Sequence, residues 1–487
     1  MNKSPIKFKK HISLKSRFRC AALFFIIIVL FTGQIKAQEN VNLTWAGAIN
    51  RALTENPNLG SAEASLEASR ANIAIARAEY LPGITIAGSV SESKAATFSD
   101  SQGILPSSSA LVGASLSQMV YNEKFLANHK IQKFLHASQE EQFRNTSYST
   151  ISLTGQAYIG LLFANDLLGV QEENLKITEK NLQAAKDRQE VGSTDMQEVL
   201  RWATQLYANK QTVTSQKASV VSSRAQLNQI LNLPLETIDN LEILTMEKDG
   251  FIFSNQAVAA LITDEIKARL VRDYLVELGM ENSPILASID QEILAQDRQL
   301  KSDQRWAIPS FGFQAGVDAK FAPENDNSPF PGTNDKDFWK VGLSMAWPLV
   351  DGGANINKAK QSKSQMSAIE LQKNNVKSSL EQNIRSAVAI IISDFINVDF
   401  SNMQAEFAQQ NYDLVYDSYL VGESNLLDLL DAQDQKLGAD ISSRVSLYTF
   451  FIDMLIMEQT IGYFPFLKPK DEVATVLNDL ENQLLGQ

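Results

Sequence analysis

Residue types able to do chemistry are few in this chain, and the most suggestive pair is acidic. Asp428 and Asp431 lie three apart just past Val421-Gly422, so on a helix they share one face. By spacing alone, that pattern reads as a solvated helix face. His129 and His136, seven apart, invite a metal ion. No carboxylate-histidine cluster accompanies them, however, and surface or seam positions are the better reading. No metal and no cofactor is expected. The chain holds only three histidines, and it contains no HExxH, Walker or nucleophile-elbow pattern. The expectation is a protein that is not an enzyme.

Compartment and charge narrow the class further. Residues 1–37 carry eight Lys/Arg and no acid, with an apolar run from Ala21 to Phe31 and a small residue at Ala37. That arrangement reads as a secretory signal peptide, too short in its apolar part for a permanent transmembrane helix. Cys20, the sole cysteine, precedes the apolar run, so lipidation is not expected and the exported chain has no thiol. Removing those eight from 44 Lys/Arg leaves 36 against 56 Asp/Glu, a charge of −20. Nucleic acid is excluded as a partner, and cations are favoured near the surface.

The elements that position the acidic pair occur twice. Pro57 and Pro82 are spaced as Pro284 and Pro309 are, at an offset of 227. Asn56 and Ser283 are N-cap types preceding a proline suited to the first helical position, which predicts helices over 57–80 and 284–307. Alternation of period two follows, from Ile84 and from Phe311, then resumes near Val112 and Val341 after polar loops at 92–107 and 321–336. These are two β-hairpins, about 83–120 and 310–349. Very long helices come next, Glu123 to Gln189 and Ala354 to Leu420, each about 67 residues and so roughly 100 Å. Both stop at Val-Gly, at Val191-Gly192 and Val421-Gly422, and a second helix returns to about Leu231 and Ile461. The organisation is thus a signal over 1–37, repeats over 38–233 and 282–462, a joint over 234–281 and a tail over 463–487. Joint and tail are expected to pack across the helices.

Four amphipathic strands cannot stand alone in lipid, because their edge N–H and C=O groups would be unpaired. Copies of the chain must close the sheet. Two copies would give eight strands around a filled interior, and three would give twelve around a lumen. The long helices have only thin apolar stripes and likewise need neighbours. Trp339, Trp347 and Tyr121 are candidates for an interfacial aromatic girdle. The rival reading, a periplasmic coiled-coil adaptor or scaffold, explains the helices but has no need of lipid-compatible hairpins.

Two segments carry a family resemblance: Trp347-Pro348-Leu349-Val350-Asp351-Gly352-Gly353, and the stretch from Tyr419-Leu420-Val421-Gly422 through Asp428-Leu429-Leu430-Asp431-Ala432. They resemble TolC-like outer-membrane efflux proteins over essentially the whole exported chain. The resemblance implies a homotrimer: a twelve-stranded outer-membrane β-barrel in lipid, continued by a long periplasmic α-helical barrel. Such a channel is a passive duct for a tripartite efflux or type I secretion system, opened when an inner-membrane pump and its periplasmic adaptor dock. It also implies that Asp428 and Asp431 line the periplasmic aperture as cation-attracting rings. Tyr419 and Glu198 match gate-latch positions, and Gly192 and Gly422 match the tips that meet the adaptor. This chain departs at Glu198, where similar channels commonly have aspartate, and at Ser424, where they have arginine; Arg201 is a candidate substitute for that ion pair, an exposed arginine worth little being the equal alternative.

Overall fold

A computed structural model describes residues 41–92, 108–234, 238–244, 265–321, 337–469 and 472–473. The signal segment, the hairpin loops over 93–107 and 322–336, most of the joint before 265 and the tail from 474 lie outside the described residues.

Strand β1 (Val41–Leu43) leads into α1 (Trp45–Glu55) and α2 (Pro57–Ala78). Asn56 caps α2 by accepting from the amides of Asn58 (2.9 Å) and Leu59 (3.2 Å), with Pro57 in the first turn where its missing N–H costs nothing. β2 (Gly83–Glu92), β3 (Ser108–Tyr121), α3 (Glu123–Glu190) and α4 (Met196–Ile230) follow. A short β4 (Ile238–Leu241) pairs in parallel with β1, and α5 (Glu265–Asn282) crosses to pack on the later helices. The series then continues with α6 (Pro284–Gln304), capped by Ser283 on the Leu286 amide, β5 (Ser310–Phe321), β6 (Asp337–Ala346), α7 (Ala354–Val421) and α8 (Leu426–Ile461). Helices α3 and α7 are each 68 residues, about 100 Å at the α-helical rise. α2 and α6 end two or three residues before the expected 80 and 307, their last residues turning toward Pro82 and Pro309.

The four long strands form one antiparallel sheet in the order β2-β3-β5-β6. Its register aligns side chains into rows across the strands. Ile84, Leu116, Ala315 and Val341 are one row, and Ile86, Ala114, Val317 and Trp339 the next. The opposite face carries Thr85, Ser115, Gly316 and Lys340, then Ala87, Gly113, Asp318 and Phe338. One face is therefore largely apolar and the other largely small or polar. The apolar face has no cover among the described residues: Leu343 is 81% exposed and Trp339 78%. On the polar face Asp318 lies across Gly113, where an added Cβ would collide with its carboxylate, and pairs with Lys340 at 3.6 Å. No helix among the described residues is long and apolar enough to cross a membrane.

The helices close one large core at mid-length. Trp45, Tyr158, Leu161, Leu227, Leu275, Ile384, Phe450, Met454 and Leu455 are buried together, drawing on α1, α3, α4, α5, α7 and α8. Tyr158 ties this core to the small sheet, its hydroxyl donating to the carbonyls of Leu43 (3.0 Å) and Glu242 (2.8 Å). Phe464 packs edge-on to Tyr148, and Phe466 to Trp45, so the chain after α8 folds back across the helices. Gly155 on α3 lets Trp45 approach, since an added Cβ would lie 2.7 Å from Trp45 Cη2 and would strike Leu455. Gly155→Val is therefore expected to cost about 1–3 kcal/mol, seen as a lower midpoint in thermal melts followed by circular dichroism. Gly160→Ala, with open space around it, is expected instead to raise the midpoint, by roughly 0.5–1 kcal/mol of helix propensity.

Candidate gate at the helical tip

Both long helices end in glycine with left-handed backbone. Gly192 has φ +76° and Gly422 +83°. The following amide turns back in each case, Ser193 N–H to Arg188 O (2.9 Å) and Glu423 N–H to Ser418 O (2.9 Å). This is the reversal in which glycine alone avoids a Cβ penalty. Nothing lies near enough to either glycine to restrict a side chain sterically, so the requirement is conformational. Asp195 then caps α4, and Asn425 and Asp428 form a reciprocal capping box at the start of α8.

Four helices converge behind these turns on a small core of Leu182, Ala185, Trp202, Tyr412, Tyr419, Leu429 and Ala432. Tyr419 is fully buried, and its hydroxyl donates to Glu198 at the start of α4. Glu198 also accepts from the Thr194 hydroxyl. Arg188, in the last turn of α3, completes the cluster: it lies 3.6 Å from the Glu198 carboxylate, donates to the Tyr419 carbonyl at 3.2 Å, and its guanidinium sits 4.4 Å from the centre of the Tyr419 ring. Burial, foremost, and then the hydrogen bond to Glu198 and its charge push the Tyr419 hydroxyl up to about 12, against the opposing effects of Trp202 and Arg188. The phenol therefore stays protonated and keeps donating across the ordinary pH range.

Arg201 is not part of this cluster, which corrects the expectation from sequence. It is exposed and makes no ion pair among the described residues. Trp202, its neighbour, takes the buried face of α4, and one residue along a helix rotates the side chain by about 100°. The arginine that the structure brings onto Tyr419 and Glu198 is Arg188, a residue the sequence reading missed. Its signal was a basic residue three positions before Val191-Gly192, close enough to reach across the turn.

Asp428 and Asp431 are exposed, each one residue and so about 100° around α8 from the buried Leu429 and Ala432. Asp428 accepts from the Asn425 amide (3.4 Å) and from Ser424 Oγ (3.2 Å), so Ser424 serves the capping box. Asp431 accepts from Gln435 at 2.7 Å. His129 stacks edge-on to Tyr80, and His136 shares a 2.7 Å hydrogen bond with Ser69, which places both histidines where α3 meets α2 or the turn after it. Trp347 donates to the Ala307 carbonyl (2.9 Å) and Tyr121 to Glu123 (3.4 Å), both where the sheet meets the helices.

A double-mutant cycle on Arg188→Ala and Glu198→Ala is expected to return a coupling of about 0.5–3 kcal/mol in thermal or denaturant unfolding. The contribution of Tyr419 has a defined pH window. Its raised pKa means the stabilisation is complete below pH 10, the ordinary value for tyrosine, and is lost as pH rises through about 12. The stability difference between the parent protein and Tyr419→Phe should shrink over that interval and stay constant below it.

With this geometry in hand, the chain can be set beside known proteins. The family profile described as outer membrane efflux protein matches residues 48–233 and 275–442. The outer membrane efflux protein BepC of Brucella suis biovar 1 (strain 1330) is 22% identical over 428 residues, 87% of this chain and 86% of that protein. The outer membrane protein TolC of Escherichia coli (strain K12) is 22% identical over 421 residues, 85% and 80% of the two chains. The crystal structure of the Campylobacter jejuni CmeC outer membrane channel superposes with a TM-score of 0.71 at 16% identity, covering 90% of this chain and 89% of that one. The fold is shared across nearly the full length, and the chain belongs to the outer membrane efflux protein family.

Proposed function

We propose that three copies of this chain form a passive outer-membrane exit duct, which takes substrates from an inner-membrane pump through a periplasmic adaptor. The observation that carries this reading is the four-stranded sheet. One face is an uncovered apolar surface, the other is small and polar, and β2 and β6 leave both edges unpaired. In lipid those edges must be paired, and copies of the same sheet are the partners that close it. Twelve strands enclose a lumen where eight would be filled by side chains. Trp339 and Trp347 lie eight positions apart along one strand path, roughly 26 Å at the strand rise. That span suits an apolar band of about 25 Å between interfacial aromatics.

The helices support the same assembly. α3 packs against α4 on one side and α8 on the other, and α8 packs against α7, so α4 and α7 are the outer edges of each subunit's wall. Both edges carry exposed apolar residues spaced by seven or fourteen: Leu200, Tyr207 and Val221 on α4, and Phe400, Phe407 and Leu414 on α7. Such stripes suit packing of α7 against α4 of the next copy. The series of one helix, two strands and two long helices over 57–230 returns over 284–461, which supports two repeats and a near-sixfold wall in the trimer. A periplasmic adaptor explains the helical hairpins but leaves the apolar sheet face without a role.

At the tip, Tyr419, Glu198 and Arg188 act as a latch closed within one subunit, and Gly192 and Gly422 shape the turns offered to the adaptor. Asp428 and Asp431 line the aperture and attract cations. Envelope fractionation with unboiled gels should show an outer-membrane species about three times the chain mass, and a soluble periplasmic monomer would overturn the duct. In planar bilayers, Asp428→Ala combined with Asp431→Ala should weaken cation selectivity and block by multivalent cations. Unchanged currents would remove these aspartates from the aperture.

A further inference from the structure

Ten residues behind Arg188 along α3, or about 15 Å, the interior of the helical wall is polar. Asn174, Thr178 and Asn181 follow one face of α3 and are at most 5% exposed. Gln433 of α8, 2% exposed, meets all three. Its amide donates to Asn174 Oδ1 (2.8 Å) and Thr178 Oγ1 (2.7 Å), and its carbonyl oxygen accepts from Asn181 Nδ2 (2.9 Å). Asn209 of α4 donates to Thr178 Oγ1 at 2.7 Å, and Tyr412 of α7 donates to Asn181 Oδ1 at 3.3 Å. One layer of side chains thus ties four helices together, with Gln433 at its centre.

Stability alone does not call for such a layer, because apolar residues of similar volume hold helices together equally well or better. A polar layer has two properties that an apolar one lacks. Each donor must find its acceptor, so helices joined this way have one register rather than several. When the helices part, water replaces the lost bonds, whereas parted apolar surfaces would be driven back together. α8 carries Asp428 and Asp431 on its exposed face, five and two residues before Gln433. The hold on Gln433 therefore sets where that face points.

We propose that Gln433 is a positioning residue for the aperture: bonded to Asn174, Thr178 and Asn181, it holds α8 in its resting register as an internal lock separate from the Tyr419 latch. Opening then exchanges these bonds for water from the lumen. The proposal rests on the reading of Asp428 and Asp431 as the aperture.

The test uses the full-length trimer in planar bilayers, with the heat-resistant band on unboiled gels reporting assembly. Gln433→Leu nearly keeps the volume and takes from Asn174 Oδ1 and Asn181 Nδ2 their bonds to Gln433, and Thr178→Val, at an isosteric position, removes the acceptor that Gln433 and Asn209 share. Each is expected to raise the resting open probability about fivefold or more while the trimer band persists. Thr178→Ser, which retains the hydroxyl, should behave as the parent, a rescue that loss of packing would not produce. Should Gln433→Leu fail to assemble, Thr178→Val and Thr178→Ser decide the matter. If assembled Thr178→Val and any assembled Gln433→Leu gate as the parent does, while the Asp428→Ala/Asp431→Ala channel shows altered currents, the lock is overturned and the aperture stands. If the lock variants open the pore and the aspartate variant changes nothing, the aperture assignment is overturned, and with it the role of Gln433 in positioning it.

Discussion

The unpaired edges of the β2-β3-β5-β6 sheet are the constraint on which the rest of this molecule depends. A backbone group in hydrocarbon has no water to bond, so the sheet is complete only when something pairs β2 and β6. Its side chains are already sorted for that setting, with Ile84, Ile86, Val341 and Leu343 facing one way and Thr85, Ser115 and Lys340 the other. Gly113 shows how closely the polar face is fitted: the Asp318 carboxylate rests where any side chain on that residue would lie. The proposed closure by copies carries downward into the helices, whose edge stripes on α4 and α7 are likewise exposed among the described residues.

Along the helices, cohesion changes character. At mid-length the core is apolar and draws in α1, α5 and the chain after α8, so the wall there is braced from outside the long hairpins. Toward the tip, bonded polar groups share the interior with a much smaller apolar cluster: Gln433 with its three partners, then Tyr419 with Glu198 and Arg188. Apolar burial resists separation in water, whereas hydrogen bonds exchange for water at a small net cost. A wall made this way is firm at its middle and separable at its end. In the proposed duct that is where a gate belongs.

The sequence by itself determined the elements and their order. Proline and cap pairs at Asn56-Pro57 and Ser283-Pro284, period-two alternation and the Val-Gly stops are local signals, because capping, pleating and left-handed turns are decided by neighbours in the chain. Helix ends therefore fell within a few residues of expectation, and the acidic pair at Asp428 and Asp431 was visible from spacing and resemblance. What only the tertiary structure decided was which side chains meet across helices. Arg201 and Arg188 are equally basic in the sequence, yet the phase of α4 set by Trp202 turns Arg201 outward, while the Gly192 reversal brings Arg188 onto Tyr419, more than two hundred residues away. For the same reason, nothing in the sequence singles out Asn174, Thr178 and Asn181. A polar residue on a long helix looks alike in sequence whether it faces water or a buried glutamine, and only the packing of α8 against α3 distinguishes the two.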